Sequence, residues 1–187
     1  MLTETEFEQV LQTLTKALSQ GDLQQALTKK DHVLGDGTPL MKGQYLLFLG
    51  LIRERSGDLS GGQRDWLDAL AFASPGTFLR YSVEENLGRV CRKLVKPEEA
   101  QRWCRQALST CAEGDEFSGN RVLTEFLELN EGKIPPADEE LVVSVLNKSW
   151  RVLELPGSFD LTDLPGSIKT VSERFSSKLH ETKEQAP

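Results

Sequence analysis

Residues 49–70 read LGLIRERSGDLSGGQRDWLDAL, and their pattern decides the fold. Leu49 and Ile52 continue an apolar stripe begun at Tyr45 and Leu46, at the three-or-four spacing of a buried helix face. Gly57-Asp58 then supplies a helix stop and a cap for the next helix. Beyond it come a small residue, Gly62, then Trp66, then Ala69-Leu70, on a second helical stretch. Moving outward, the same order returns at Leu87-Gly88, the Val95-Lys96-Pro97 turn, Ala100, Cys104 and Ala107-Leu108. Leu14, Gly21-Asp22-Leu23 and Ala26 fall in the same frame, so the small residues Ala26, Gly62 and Ala100 stand 36 and 38 residues apart. Two helices that cross at Gly50 and Gly62, or at Gly88 and Ala100, approach too closely for anything larger than a methyl group.

This pattern resembles the tetratricopeptide repeat, whose signature is Leu-Gly in a first helix, Gly-Asp at the turn and a small residue early in a second helix. A bulky residue, a further Ala and a Pro follow, and residues 49–75 carry nearly all of it through Ser74-Pro75. The resemblance covers residues 7–112, with 116–153 as a degenerate fourth hairpin. Two departures stand out. Ala17, Arg53 and Cys91 occupy the place where the family carries Tyr or another large apolar residue. The spacing also exceeds the family's period of about 34 residues.

Helical spacing extends along the chain, through Phe7, Val10, Leu11, Leu14 and Leu18 and through Val83, Leu87, Val90 and Leu94. Leu141-Val-Val-Ser-Val-Leu alternates least like a helix, yet the acidic Ala137-Asp-Glu-Glu before it predicts a helix start. The expectation is an all-α fold, with eight helices paired as four stacked antiparallel hairpins in an α-solenoid over residues 1–154. Residues 155–187 form a turn-rich segment, with Leu-Pro-Gly-Ser at 155–158 and again at 164–167, then an amphipathic helix near 166–181 and a short polar tail. Its stripe of Leu164, Ile168, Val171, Phe175 and Leu179 suits a helix capping the open end of the stack.

A net charge of −7 argues against nucleic acid or an anionic membrane as partner, because both need a basic face. No run approaches the roughly 18 apolar residues of a membrane span. The acidic start, MLTETEFEQV, is unlike a signal peptide, and with three cysteines it points to a reducing, cytoplasmic setting. Leu59-Ser-Gly-Gly-Gln63 matches the signature loop of ABC-transporter ATPases, but no Gly-Lys-Ser/Thr phosphate cradle accompanies it. Cys91, Cys104 and Cys111 lack ligand spacing and read as core residues rather than a metal site. His32 and His180 belong to no nucleophile constellation. The tryptophans of the second helices, Trp66, Trp103 and Trp150, are expected to pack on the following hairpin. The chain thus reads as non-catalytic, without cofactor or metal.

In tetratricopeptide stacks the first helices line a concave groove, which implies a partner-binding face here. By register it contains Gln44, Leu47, Leu51, Glu54 and Arg55 in the second hairpin, and Ser82, Glu85, Arg89, Arg92 and Lys93 in the third. The first adds Glu8, Leu11, Thr15, Leu18 and Ser19. Such a groove is apolar at one end and basic at the other, suited to a protein or peptide with an acidic stretch beside an apolar anchor. The alternative is a face where Arg89, Arg92 and Lys93 pair with Glu54 and Glu85. The Lys and Asn that clamp chaperone C-termini are replaced by Leu11, Thr15 and Leu51. An adaptor or scaffold is the leading reading; an immunity protein or antitoxin against a basic toxin, or a secretion-type chaperone, are the alternatives.

Overall fold

The computed structural model describes residues 1–114 and 119–153, the side chains of 149–153 excepted. These residues are helical, without a strand among them. The helices are α1 Glu4–Gln20, α2 Leu23–Leu27, α3 Lys30–Asp36, α4 Pro39–Arg55, α5 Leu59–Ala69, α6 Phe78–Lys93, α7 Pro97–Glu113, α8 Asn120–Leu129 and α9 Glu139–Leu153. Short 3-10 turns follow α5 at Leu70–Phe72 and precede α9 at Pro136–Asp138. Each helix from α4 to α9 packs on the next in sequence, and α1 on α4, α4 on α6 and α7 on α9 join alternate members. The proposed helix at 166–181, both Leu-Pro-Gly-Ser turns, the Trp150 side chain and His180 lie outside the described residues.

The helix starts follow the capping rules. Thr3 and Glu6 form a reciprocal capping box, Asp22 accepts the Gln25 N–H, and Thr38 precedes Pro39 at the first helical position. The helix stops recur in one form. The backbone N–H groups of Asp22, Asp58 and Lys96 each donate to a carbonyl five residues back, at Ala17, Arg53 and Cys91, at 2.9 Å in every case. Such a bond closes a helix through one left-handed residue. Gly21 (φ 69°) and Gly57 (φ 89°) supply it in the first two hairpins. In the third the same place holds Val95 at φ 58°, a β-branched residue in a conformation that crowds its Cβ. The turn geometry is therefore kept even where its glycine is missing.

The crossings explain the small residues. A Cβ built on Gly62 comes 3.0 Å from the Gly50 carbonyl oxygen, so the α5 and α4 backbones nearly touch. The other side of Gly50 is filled by the Trp66 indole, 2.6 Å from a built Cβ at Cε2, and the indole N–H donates to the Leu47 carbonyl at 3.1 Å. Trp66 thus packs on the first helix of its own hairpin, where Gly50 leaves room for the ring. At the homologous place in α6–α7, Cys104 Sγ lies against Gly88, 2.8 Å from a built Cβ.

Arg53 joins the turn to the facing helix. Its guanidinium bridges Asp58 in the turn and buried Asp65 on α5, both at 2.7 Å, and so clamps the hairpin by charge. Asp58 also accepts the Gly61 N–H at 2.9 Å, and these two bonds hold its carboxyl below the usual carboxylate range.

One expected helix is divided. The second helix of the first hairpin becomes α2 and α3, broken at Thr28-Lys29, so four hairpins of two unbroken helices is corrected to a first hairpin of three pieces. The break leaves the Ala26 carbonyl able to accept the buried Tyr45 hydroxyl at 2.8 Å, tying α2 to α4. The core has two parts: one under α1 to α6, from Phe7 and Leu14 through Ile52 and Trp66 to Val90, and one under α7 to α9 around Leu108, Phe126 and Leu146.

Two stability predictions follow from these contacts. Val95→Gly removes a left-handed β-branched residue at an exposed position and should raise stability by about 1 kcal/mol, or roughly 3 °C in Tm, by calorimetry. Gly50→Ala drives a methyl group into the Trp66 ring and should cost about 2 kcal/mol or more, read as a lowered urea midpoint at unchanged slope. A neutral Gly50→Ala would overturn the crossing described above.

Candidate partner-binding face

Helices α4, α6 and α8 run parallel in one row, because residues at matching depths along them pair. Glu54 near the end of α4 meets Arg89 and Lys93 near the end of α6, at 2.7 and 2.8 Å. Arg92 of α6 meets Glu125 and Glu128 of α8, the former at 3.2 Å, and Glu85 of α6 pairs with Arg121 of α8. Arg89 also donates to Asn86 on its own helix. The row follows from the repeat: Glu54–Arg89 are 35 residues apart and Arg92–Glu128 are 36 apart, one hairpin further along the chain.

The register places Arg89, Arg92, Lys93, Glu85 and Glu54 together on this row. Ser82, also expected there, is buried instead, since its turn of α6 faces the interior. The basic end of the groove is not a bare patch of cations: Arg89 and Lys93 share Glu54, and Arg92 is held by α8. Sequence reading missed the contribution of Arg121, Glu125 and Glu128. Opposite charges one repeat period apart were the available signal, obscured by the weak repeat pattern of the fourth hairpin.

Depth separates the two signs. The carboxylates of Glu54, Glu85 and Glu125 are recessed, with 7, 12 and 20% of their side chains exposed. Arg92, Lys93 and Arg121 lie over them at 47, 49 and 68%. Burial pushes the Glu85 carboxyl up, and the Arg121 guanidinium pulls against that shift. Each of these cations carries several N–H donors and spends only one or two on the recessed acids. A ligand approaching the row therefore meets donors first, with Glu128 as the exposed acid among them.

The other end is more apolar. Leu47 and Leu51 of α4 are half-buried on the same core as Leu11 and Leu18 of α1. Gln44 is half-buried beside them in sequence, and Arg55 is exposed at the end of α4. Leu11, Gln12, Thr15, Lys16 and Ser19 line an open depression along α1. A second depression, along α8, is lined by Asn120, Arg121, Thr124, Glu125 and Glu128.

The remaining sequence features are absorbed by packing. In Leu59-Ser-Gly-Gly-Gln63, Gly61 makes room for the capping carboxylate, 2.5 Å from a built Cβ at Asp58 Cγ, and Gly62 makes room for the Gly50 carbonyl. Cys91, Cys104 and Cys111 are buried, and burial pushes their thiols up to about 11, 12 and 11. His32 sits half exposed on α3, 3.5 Å from Asp36. Two buried carboxylates are fully bonded: Glu84 takes Arg80 and the Thr110 hydroxyl, and Asp138 takes both arms of Arg105. No helix among the described residues is long and apolar enough to cross a membrane.

Comparison with family models, with curated proteins and with solved structures gives no match for this chain.

Proposed function

We propose that this protein is a non-catalytic interaction module of the tetratricopeptide type, an adaptor or scaffold in the cytoplasm that binds another protein through the row of first helices. The observation that carries the reading is the layering on that row. Solvent-facing cations lie over recessed carboxylates at the α6–α8 end, beside half-buried Leu47 and Leu51 at the α1–α4 end. The repeated left-handed turn at Gly21, Gly57 and Val95, and the close crossings at Gly50 and Gly88, support a repeat origin for that row.

The layering also selects the partner. An acidic segment gains donors from Arg92, Lys93 and Arg121 without stripping the buried acids of their own bonds. A basic segment would have to break those ion pairs to reach Glu54 or Glu85, and would meet like charges on the way. An apolar residue next to the acidic stretch would then fall toward Leu47 and Leu51.

The test is affinity capture with quantitative mass spectrometry, comparing wild type with Arg92→Glu/Lys93→Glu. Arg64→Glu, on the outer side of α5, serves as the control. The retained partner should fall at least tenfold on the double substitution, equivalent to about 1.4 kcal/mol, and stay unchanged in the control. Equal retention by all three proteins of undiminished helical circular dichroism would sink the proposal.

A further inference from the structure

The three helices α4, α6 and α8 carry one stripe in step. Leu47, Leu51 and Glu54 stand at i, i+4 and i+7 on α4, and so do Glu85, Arg89 and Arg92 on α6. Arg121, Glu125 and Glu128 repeat the spacing on α8. Residues so spaced share one helix face. Ion pairs fix the levels: Glu85 meets Arg121, Arg92 meets Glu128, and Arg89 and Lys93 bracket Glu54.

We propose that this grid takes a partner's acidic segment in polyproline II form, laid across the helices. One apolar residue sits at Leu47 and Leu51, an acid three residues away at Arg92 and Lys93, and a second acid six away at Arg121. The proposal rests on the groove reading above and deepens it with a ligand conformation and a spacing.

Pitch is the first support. Packed helices stand about 8–10 Å apart, and a polyproline II segment turns once in three residues, or about 9 Å. Each turn of the ligand thus steps from one first helix to the next with the same face toward the row. A β-strand covers the distance, but its residues three apart point to opposite faces.

Width is the second. The Glu85 and Arg92 levels of α6 are about 10 Å apart along the helix. Arg121 borders the corridor between them at one level, and Arg92 and Lys93 border it at the other. An α-helix, about 10–12 Å across with its side chains, would have to push those cations aside. A single extended backbone passes between them, about 5 Å from the Arg92 level and about 6 Å from the Arg121 level.

Charge placement is the third. Glu54, Glu85 and Glu125 are recessed, and the cations of the grid stand on α6 and α8. Helix α4 contributes half-buried Leu47 and Leu51 instead. Complementarity therefore sends the apolar residue to α4 and the two acids to α6 and α8.

The experiment uses the full-length chain and fluorescent peptides read by anisotropy. Leu-Pro-Pro-Glu-Pro-Pro-Glu holds the spacing, and Leu-Pro-Glu-Pro-Glu-Pro-Pro has the same composition out of step; each is also made in reverse order. In one chain direction the in-step peptide should bind about tenfold more tightly than its out-of-step counterpart. Arg121→Gln should weaken that peptide about fivefold and leave unchanged a version with Gln in place of the acid farthest from Leu. Equal affinity in and out of step, or equal weakening of both versions by Arg121→Gln, would overturn the register. Absence of saturable binding by every peptide would overturn it too, and the capture experiment above decides the groove reading independently of these results.

Discussion

The close approach of backbone to backbone at the hairpin crossings is the constraint on which the rest of the structure depends. At Gly50 and Gly62 two helices meet with no side chain between them. That fixes how far α5 stands from α4, and it leaves a flat patch for the Trp66 indole, whose N–H is satisfied by the Leu47 carbonyl. Leu47 is itself half-buried on the same core, so the ring that seals the hairpin also holds the backbone at the apolar end of the candidate face. Gly88 repeats the device with Cys104 as the filler. A sulfur is smaller than an indole, and the neighbouring Thr110 hydroxyl of α7 donates to Glu84 of α6, tying the two helices together as well.

Charge rather than ring packing ties the turn to α5 in the second hairpin. Arg53 on its own would leave a cation half-buried. Asp58 and Asp65 meet it, one from the turn and one from the facing helix, and Asp58 caps α5 with its second oxygen. Removing Arg53 would strand a buried acid, whereas removing an aromatic ring would leave only a void. Clamps of this kind make a hairpin specific in register, because the three groups are satisfied together or not at all.

Much of this was legible in the sequence, and the exceptions have physical causes. The helix pattern, the turns, the crossing glycines and the core placement of the cysteines could be read because each is a local demand of backbone geometry or period. The acidic first turn at Glu139-Glu140 was readable for the same reason. The break between α2 and α3 was not, because no Gly or Pro marks it at Thr28-Lys29, and the Tyr45 hydroxyl that meets the Ala26 carbonyl there comes from nineteen residues away. Nor was the seat of the Trp66 ring on Gly50 and its bond to the Leu47 carbonyl, since neither follows from the period of the second helix alone. The groove residues were placed by register, but their depth was invisible: sequence gives Arg92 and Glu54 equal weight, and only packing recesses one and exposes the other.

That difference in depth bears on how a protein with a net charge of −7 can present a basic face. Counting charges on the row gives four acids (Glu54, Glu85, Glu125 and Glu128) against four cations (Arg89, Arg92, Lys93 and Arg121), so the row has almost no long-range field. At a Debye length of about 8 Å such a row does little to steer a distant partner. What it offers is short-range: hydrogen-bond donors held in place by acids that stay behind them. Arginine and lysine side chains ordinarily lose rotamer freedom on binding. Here the recessed carboxylates have already imposed that order, so a ligand carboxylate meets a preorganised surface. A site built this way would discriminate by contact geometry more than by net charge, which is how an acidic chain could take the acidic ligand proposed for it.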